Sequence, residues 1–255
     1  MRVDIITIFP GFFETPLNFG MIRRAVDQKK LEVHCHDLRD YARDRVVDDY
    51  PYGGGAGMVL KAEPIIKAVM GLRKKDSRIV FFSPAGVRLT QDLLIKMSSW
   101  QHLILVCGRY KGVDHRAVEL LKPVVVSIGD FVLSGGELGA LIVIEGVARL
   151  LPGVLKDPDS ARTDSFSCGI LDGPYYTRPR VVRRRSVPRV LLSGDHQKIR
   201  DFRLKESLRR TWQMRPDLFG DRIMDRKELL LFLEVLHETA RSEGGRSGNN
   251  LLQNR

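Results

Sequence analysis

SIGDFVLSGGELGA, residues 127–140, is the stretch on which the reading of the chain turns. An apolar run at 123–128 enters it, Gly129-Asp130 break that run, and Phe131-Val132-Leu133 form a short apolar return. Ser134-Gly135-Gly136 then turn the chain into a helix expected over 137–151. Ser134 stands three residues before Glu137, the spacing of a capping box. A strand, a turn and a glycine-rich helix start together aim backbone N–H groups at one place, which suits a ligand. The same pattern also serves as an ordinary tight connection between strand and helix.

Working outward, apolar runs at 3–9, 79–82, 103–107 and 124–128 read as buried strands. The last three end in breaks: Ser83-Pro84-Ala85-Gly86, Gly108-Arg109-Tyr110-Lys111-Gly112 and Gly129-Asp130. Helical stretches at 90–98 and 113–120 separate them. Apolar strands alternating with helices predict an α/β fold whose parallel sheet carries helices on both faces. Ligands on such sheets sit at the carboxyl ends of the strands, where these breaks should converge. No G-x-G-x-x-G occurs, which argues against a dinucleotide fingerprint.

Earlier in the chain, Asn18 is expected to cap a helix over 19–29. Residues 31–37 alternate, putting His34 and His36 on one strand face with Cys35 opposite. Two histidines without a further ligand nearby read as strand residues rather than a metal site. Residues 48–58, DDYPYGGGAGM, are dense in glycine and lack the Gly-Lys-Ser/Thr of a phosphate-binding loop. They form either a mobile loop over a substrate or a plain long turn. A helix is expected over 61–72 with Pro64 in its first turn. The helix at 137–151 is apolar almost all round and so expected to be buried. Its Gly139 and Gly146 would let another backbone come close, and its Glu145 and Arg149 are spaced to pair.

The chain has 255 residues, 43% hydrophobic and 29% charged, as expected for a soluble globular protein. No apolar run approaches the roughly 18 residues of a membrane span, and the start does not read as a signal peptide. Cys35, Cys107 and Cys168 are odd in number and far apart, which fits a reducing cytoplasm and no disulfide framework. Charge is concentrated late. Of the net +11, residues 173–255 carry +9, from 19 Lys+Arg against 10 Asp+Glu. A near-neutral first part and a basic second part suit a substrate-handling core joined to a grip on a polyanion. A solvated basic face is the alternative. Residues 174–194 contain no acid but hold Arg178, Arg180, Arg183, Arg184, Arg185 and Arg189 beside Tyr175 and Tyr176, a set suited to phosphates and bases. Helices are expected at 196–214 and 226–239. The expected organisation is a core at 1–155, a polar linker at 156–172, a basic helical domain at 173–240 and a disordered tail at 241–255.

IITIFPGFF, DDYPYGGGAGM, GRYKGVD, SIGDFVLSGGELGA, ARLLPGV, DSF, YYTRP and VPRVLLSGDHQKIRDFRLKESLRRTW occur in this order between residue 5 and past residue 212. In these motifs the chain resembles the bacterial tRNA (guanine-N1)-methyltransferases, the TrmD family of the knotted SPOUT class. The resemblance implies a deep trefoil knot near 80–140 and a homodimer whose active site is shared between subunits. It implies S-adenosylmethionine as donor, held by Ser83, Pro84, Gly108, Tyr110, Ile128, Gly129, Asp130, Phe131, Val132, Leu133 and Gly135. It implies guanine 37 of tRNA as acceptor, with Asp164 and Arg149 as the catalytic pair. Arg183, Arg184 and Arg185 of the basic second domain are then expected to contact tRNA phosphates. A divalent ion such as magnesium is allowed by it. The chain departs from the family in carrying Lys111 where the family usually has Glu. That charge reversal keeps open a tRNA-binding relative with lost or altered methyl transfer.

Overall fold

In a computed structural model of the chain, the described residues are 1–157, 159–220 and 222–250, with the side chains of Asp159, Arg162 and residues 242–250 outside the description. They divide into two compact units, Met1–Ala161 and Arg162–Arg255.

The first unit carries, in chain order, β1 (Arg2–Thr7), α1 (Gly20–Asp27), β2 (Glu32–Asp37), β3 (Asp48–Asp49), β4 (Val59–Leu60), α2 (Ala62–Leu72), β5 (Ser77–Arg88), α3 (Gln91–Ser98), β6 (His102–Val106), α4 (His115–Leu121), β7 (Val124–Ser127) and α5 (Glu137–Leu150). Five strands form one sheet in the order β2-β1-β6-β5-β7, and every pairing is parallel. The expected α/β architecture is therefore present. Along β6, Leu103 and Leu105 belong to one apolar cluster, with Val143 and Val147 of α5, and Ile104 and Val106 to the other, with Ile65 and Val69 of α2. Both faces are covered, so β6 is an unbroken apolar run rather than an alternating one.

Four local expectations change. Ser83-Pro84-Ala85-Gly86 does not end its strand. The register shifts between Phe82 and Val87, and β5 then resumes pairing with β7. A Cβ on Gly86 would lie 2.5 Å from the Val126 nitrogen and 2.6 Å from the Val125 carbonyl oxygen. Only glycine permits that approach. Gly86→Val should cost about 3 kcal/mol or more in urea unfolding, because the obstruction is backbone that cannot move aside. A cost within ±0.5 kcal/mol would show that the bulge relaxes freely.

Asn18 does not cap α1. It closes a short turn, Pro16–Asn18, and its amide donates to the Glu14 carbonyl at 2.6 Å. Phe19 stands at the helix start without a side-chain cap. Nor does Ser134 cap α5, whose N-cap is Gly136 with no side-chain bond. Glu137 turns inward instead, as described below. Finally, α5 leaves Leu138 and Ile142 about half exposed. Its Gly139 and Gly146 admit side chains, Phe82 and Leu94, rather than another backbone.

At the amino ends of the strands, Asp4 is fully buried. Its carboxylate accepts from Arg2 Nε and Nη2 at 2.7 and 2.9 Å, and meets His36 Nε2 at 2.7 Å and His102 Nε2 at 2.6 Å. An ionised carboxylate only accepts, so both imidazoles donate. His102 Nδ1 then meets Ser77 Oγ at 2.7 Å. His36 is thus committed to Asp4, and the metal reading of the His34/His36 pair finds no support. Burial alone would raise the Asp4 carboxyl; the bonds from Arg2, His36 and His102 outweigh it and hold the group well below the usual carboxylate range. A depressed folded-state pKa means the stability is fully present above the unfolded value of about 3.9 and is lost as pH falls through the folded one. Asp4→Asn should cost about 3–5 kcal/mol near neutrality, with the deficit shrinking in strong acid. Denaturant midpoints across pH read this out, and a deficit independent of pH would assign the cost to packing.

Helix α6 (Asp159–Thr163) spans the division between units. The second unit then holds the hairpin of β8 (Val181–Val182) and β9 (Arg185–Ser186), α7 (His196–Met214) and α8 (Arg226–Asn250). Asp195 caps α7, accepting from Lys198 N at 3.1 Å. Phe219 and Phe232 stack at 4.7 Å with Trp212 against both, and Lys205 reaches Glu234 and Glu238 from α7 to α8. The last helix continues to Asn250, beyond the expected end near 239 and into the segment read as a tail. Once a helix is nucleated, each added residue closes a further bond, and glycine weakens this without preventing it. Residues 251–255 of the expected tail lie outside the described residues.

Candidate active site

The loops at the carboxyl ends of β6 and β7 are joined. Gly136 N donates to Gly108 O at 3.0 Å, and Arg109 and Gly135 form an antiparallel bridge. Strand β5 lies between β6 and β7, so the segment after β7 crosses the end of β5 to reach β6. A Cβ on Gly136 would lie 2.9 Å from Cys107 Cα, which explains a glycine there. Gly108, Tyr110 and Gly135 thus lie in two joined loops. Ser83 and Pro84 follow Phe82, whose ring closes on the Cα positions of Gly136 and Gly139.

The chain from Ile128 to Leu133 forms the approach to this junction. Gly129 has φ +147°, a left-handed conformation, and its N–H donates to Ser127 Oγ at 3.3 Å. Asp130 pairs with Arg88 at 2.9 Å. Phe131, Val132 and Leu133 are exposed, so the apolar return of the sequence is a surface segment and not a strand.

A third loop meets the second. Lys111 N donates to Met58 O, and Leu60 N to Gly112 O, both at 3.0 Å. The glycine run therefore ends against the GRYKG turn, and Gly57 packs on the Lys111 side chain. Tyr110 has φ +59° and stands near the Asp48 carboxylate. Burial first, then the Asp48 carboxylate, pushes its phenol above the ordinary value. A concavity of about 990 Å³ opens beside this region, lined by Tyr50, Tyr52, Ile66, Met70, Arg116 and Leu120 among others. None of the expected donor residues lines it.

Beneath the junction is a set that sequence reading missed. Glu137 is 3% exposed; its Oε1 accepts from Thr7 Oγ1 at 2.9 Å, and its Oε2 lies 3.6 Å from Arg109 Nε. Thr7 Oγ1 accepts from Phe9 N at 3.0 Å, and the Arg109 guanidinium sits 4.5 Å above the Phe9 ring. In the sequence Glu137 carried the signal of a cap, which masked its inward turn. Cys107, behind this set, has its thiol pushed well up by burial and by the Glu137 charge.

Arg149 lies in the last turn of α5, in the first unit, half-buried. Asp164 belongs to the second unit. From Asp164 onward the expected linker is a compact turn. Ser167 N donates to Asp164 O at 3.1 Å and Phe166 N to Ile170 O at 2.8 Å. Ile170 is buried, and Leu171 N donates to Thr211 Oγ1 of α7 at 2.9 Å. Arg183 and Arg184 occupy the tip of the β8–β9 hairpin, with φ +46° and +66°, and Arg185 follows on β9. All three are exposed. Positive φ at both central residues makes the tight turn that twisted strands require.

Among the described residues no group of three or more His, Cys, Asp or Glu side chains is arranged to hold a metal ion. Among them, too, no helix is long and apolar enough to cross a membrane.

The family model described as tRNA (Guanine-1)-methyltransferase TrmD matches residues 1–221. The chain belongs to this family. Among the similar curated proteins, the tRNA (guanine-N(1)-)-methyltransferase of Dictyoglomus turgidum is 46% identical over 240 residues, covering 93% of this chain and 98% of its own length. The enzyme of the same name from Synechococcus sp. (strain JA-2-3B'a(2-13)) is 50% identical over 241 residues, covering 93% and 96%. That of Halorhodospira halophila is 45% identical over 254 residues, covering 98% and 96%. The similarity to TrmD enzymes thus runs through both units, and the reading as a relative without turnover is not favoured.

Proposed function

We propose that this chain is a tRNA (guanine-N1)-methyltransferase that moves a methyl group from S-adenosylmethionine to N1 of guanine 37, beside the anticodon, and that it works in the cytoplasm as a knotted homodimer. The single observation that carries the reading is a family match across 1–221 that coincides with the joined loops of the β6 and β7 ends. The crossing of 129–136 over the end of β5 supports the knot.

The residues that would hold the donor are Ser83, Pro84, Gly108, Tyr110, Ile128 to Leu133 and Gly135. They fit it: glycines leave backbone groups open, and exposed Phe131, Val132 and Leu133 offer apolar surface to an adenine. The donor supplies an electrophilic methyl on a sulfonium sulfur. Everything else falls to the protein. Guanine N1 must lose its proton to attack that carbon, and Asp164 takes it. An ordinary aspartate, with pKa about 3.9, is a weak base for so weak an acid. Arg149 at guanine O6 stabilises the negative charge that builds there as the proton leaves, which brings the transfer within reach of the carboxylate. The N1 electron pair forms the new N–C bond, and the S–C pair returns to sulfur. The resemblance to the family implies an active site completed by a second subunit, with Arg149 and the donor loops from one copy and Asp164 from the other.

Mass spectrometry of a tRNA with guanine at position 37, before and after incubation with protein and donor, tests the reading. A gain of one methyl at that base is expected, and unmodified tRNA would overturn it. The basic unit supplies the grip. Replacing Arg183, Arg184 and Arg185 by Ala should lower the log–log salt slope of tRNA binding by about 0.7–0.9 per lost phosphate contact. An unchanged slope would leave those arginines as solvated charge.

A further inference from the structure

We propose that Glu137 is a positioning residue for the methyl donor: through Arg109 it fixes the two loops whose backbones wall the donor site. The inference rests on the donor placement given above.

Glu137 opens α5, where an acid usually faces water, yet it is 3% exposed. Its bond to Thr7 ties it to the end of β1, and its charge faces Arg109 in the loop after β6. The 3.6 Å separation is longer than a hydrogen bond, and Arg109 Nε, shut off from solvent, has no hydrogen-bond partner. The guanidinium is therefore held by the Glu137 charge and by the Phe9 ring beneath it.

Burying such a pair is poor economy for stability, since an apolar pair of similar volume does as well or better. Its value is geometric. One carboxylate touches the end of β1, the loop after β6 and the start of α5. A Cβ at Gly135 would lie 2.3 Å from Glu137 Oε2 and 2.7 Å from Arg109 Nε, so the pair is the wall against which Gly135 rests. Gly108 and Tyr110 flank Arg109 on the other side. When the pair moves, both donor loops move.

The test compares single and double variants of the full-length protein. Glu137→Gln keeps size and an acceptor for Thr7 but removes the charge; paired with Arg109→Met, it leaves no lone buried charge. The double variant should melt close to the wild type yet bind S-adenosylmethionine about ten-fold more weakly in calorimetry. In steady-state assays the loss should fall on the donor KM and spare kcat. Arg109→Gln, at a side chain 24% exposed, tests the same point should the double variant fold poorly. A folded double or single variant with wild-type donor affinity would overturn the proposal. The donor placement has its own readout: if Gly129→Val binds the donor normally, that placement fails whatever Glu137 does.

Discussion

Asp164→Asn is expected to abolish methyl transfer, lowering kcat by about 10²–10⁴-fold, the usual worth of a general base. Asparagine keeps the size and polarity but cannot take the N1 proton. The turn that carries Asp164 is held by backbone bonds, by buried Ile170 and by the Leu171–Thr211 bond, which the substitution leaves in place. Donor binding and most tRNA binding should therefore persist, which separates chemistry from recognition. Mixing Asp164→Asn with a donor-dead partner such as Gly129→Val gives the sharper result. In a mixed dimer, one of the two pockets pairs an intact Asp164 with an intact donor loop. Partial return of activity is expected on subunit exchange. Verified mixed dimers that stay fully inactive would move Asp164 into its own chain's site.

Gly129→Val should weaken S-adenosylmethionine binding by about 10- to 100-fold. Gly129 has φ +147°, where a β-branched residue is strained, and a Cβ there would sit 2.4 Å from the Phe131 ring. A variant loop relaxes to an unstrained shape, and binding must restore the old one. A strain of about 1–3 kcal/mol then appears as lost affinity at 1.4 kcal/mol per tenfold. The segment is outside the buried core, so the melting temperature should change little. Full affinity in calorimetry would remove 128–133 from the donor site.

The sheet was legible because its physics is local. Runs such as 103–107 are apolar on both faces, and the breaks after them mark the strand ends. The bulge in β5 was not legible: Ser83-Pro84-Ala85-Gly86 looks like a terminator, and only the close approach of Val125 and Val126 shows that pairing resumes. Glu137 was misread for a similar reason. Its spacing to Ser134 is a local signal, whereas its partner Thr7 lies 130 residues away. Long-range bonds leave no periodicity to read. The candidate catalytic pair is a different case. Arg149 has the spacing of a helix partner for Glu145, and Asp164 stands in a polar turn, so only the family motifs single them out.

The two ends of the sheet are built on opposite terms. At the carboxyl ends, left-handed glycines and a buried ion pair are conformations that lower stability and hold loops in place. At the amino ends, Asp4 with Arg2, His36, His102 and Ser77 forms a network in which each bond closes on another. Mutational tolerance should follow this polarity. Chains stiffened at the amino edge can absorb more change in the donor loops before they unfold, so robustness gained at one pole widens the range of loop sequences open at the other.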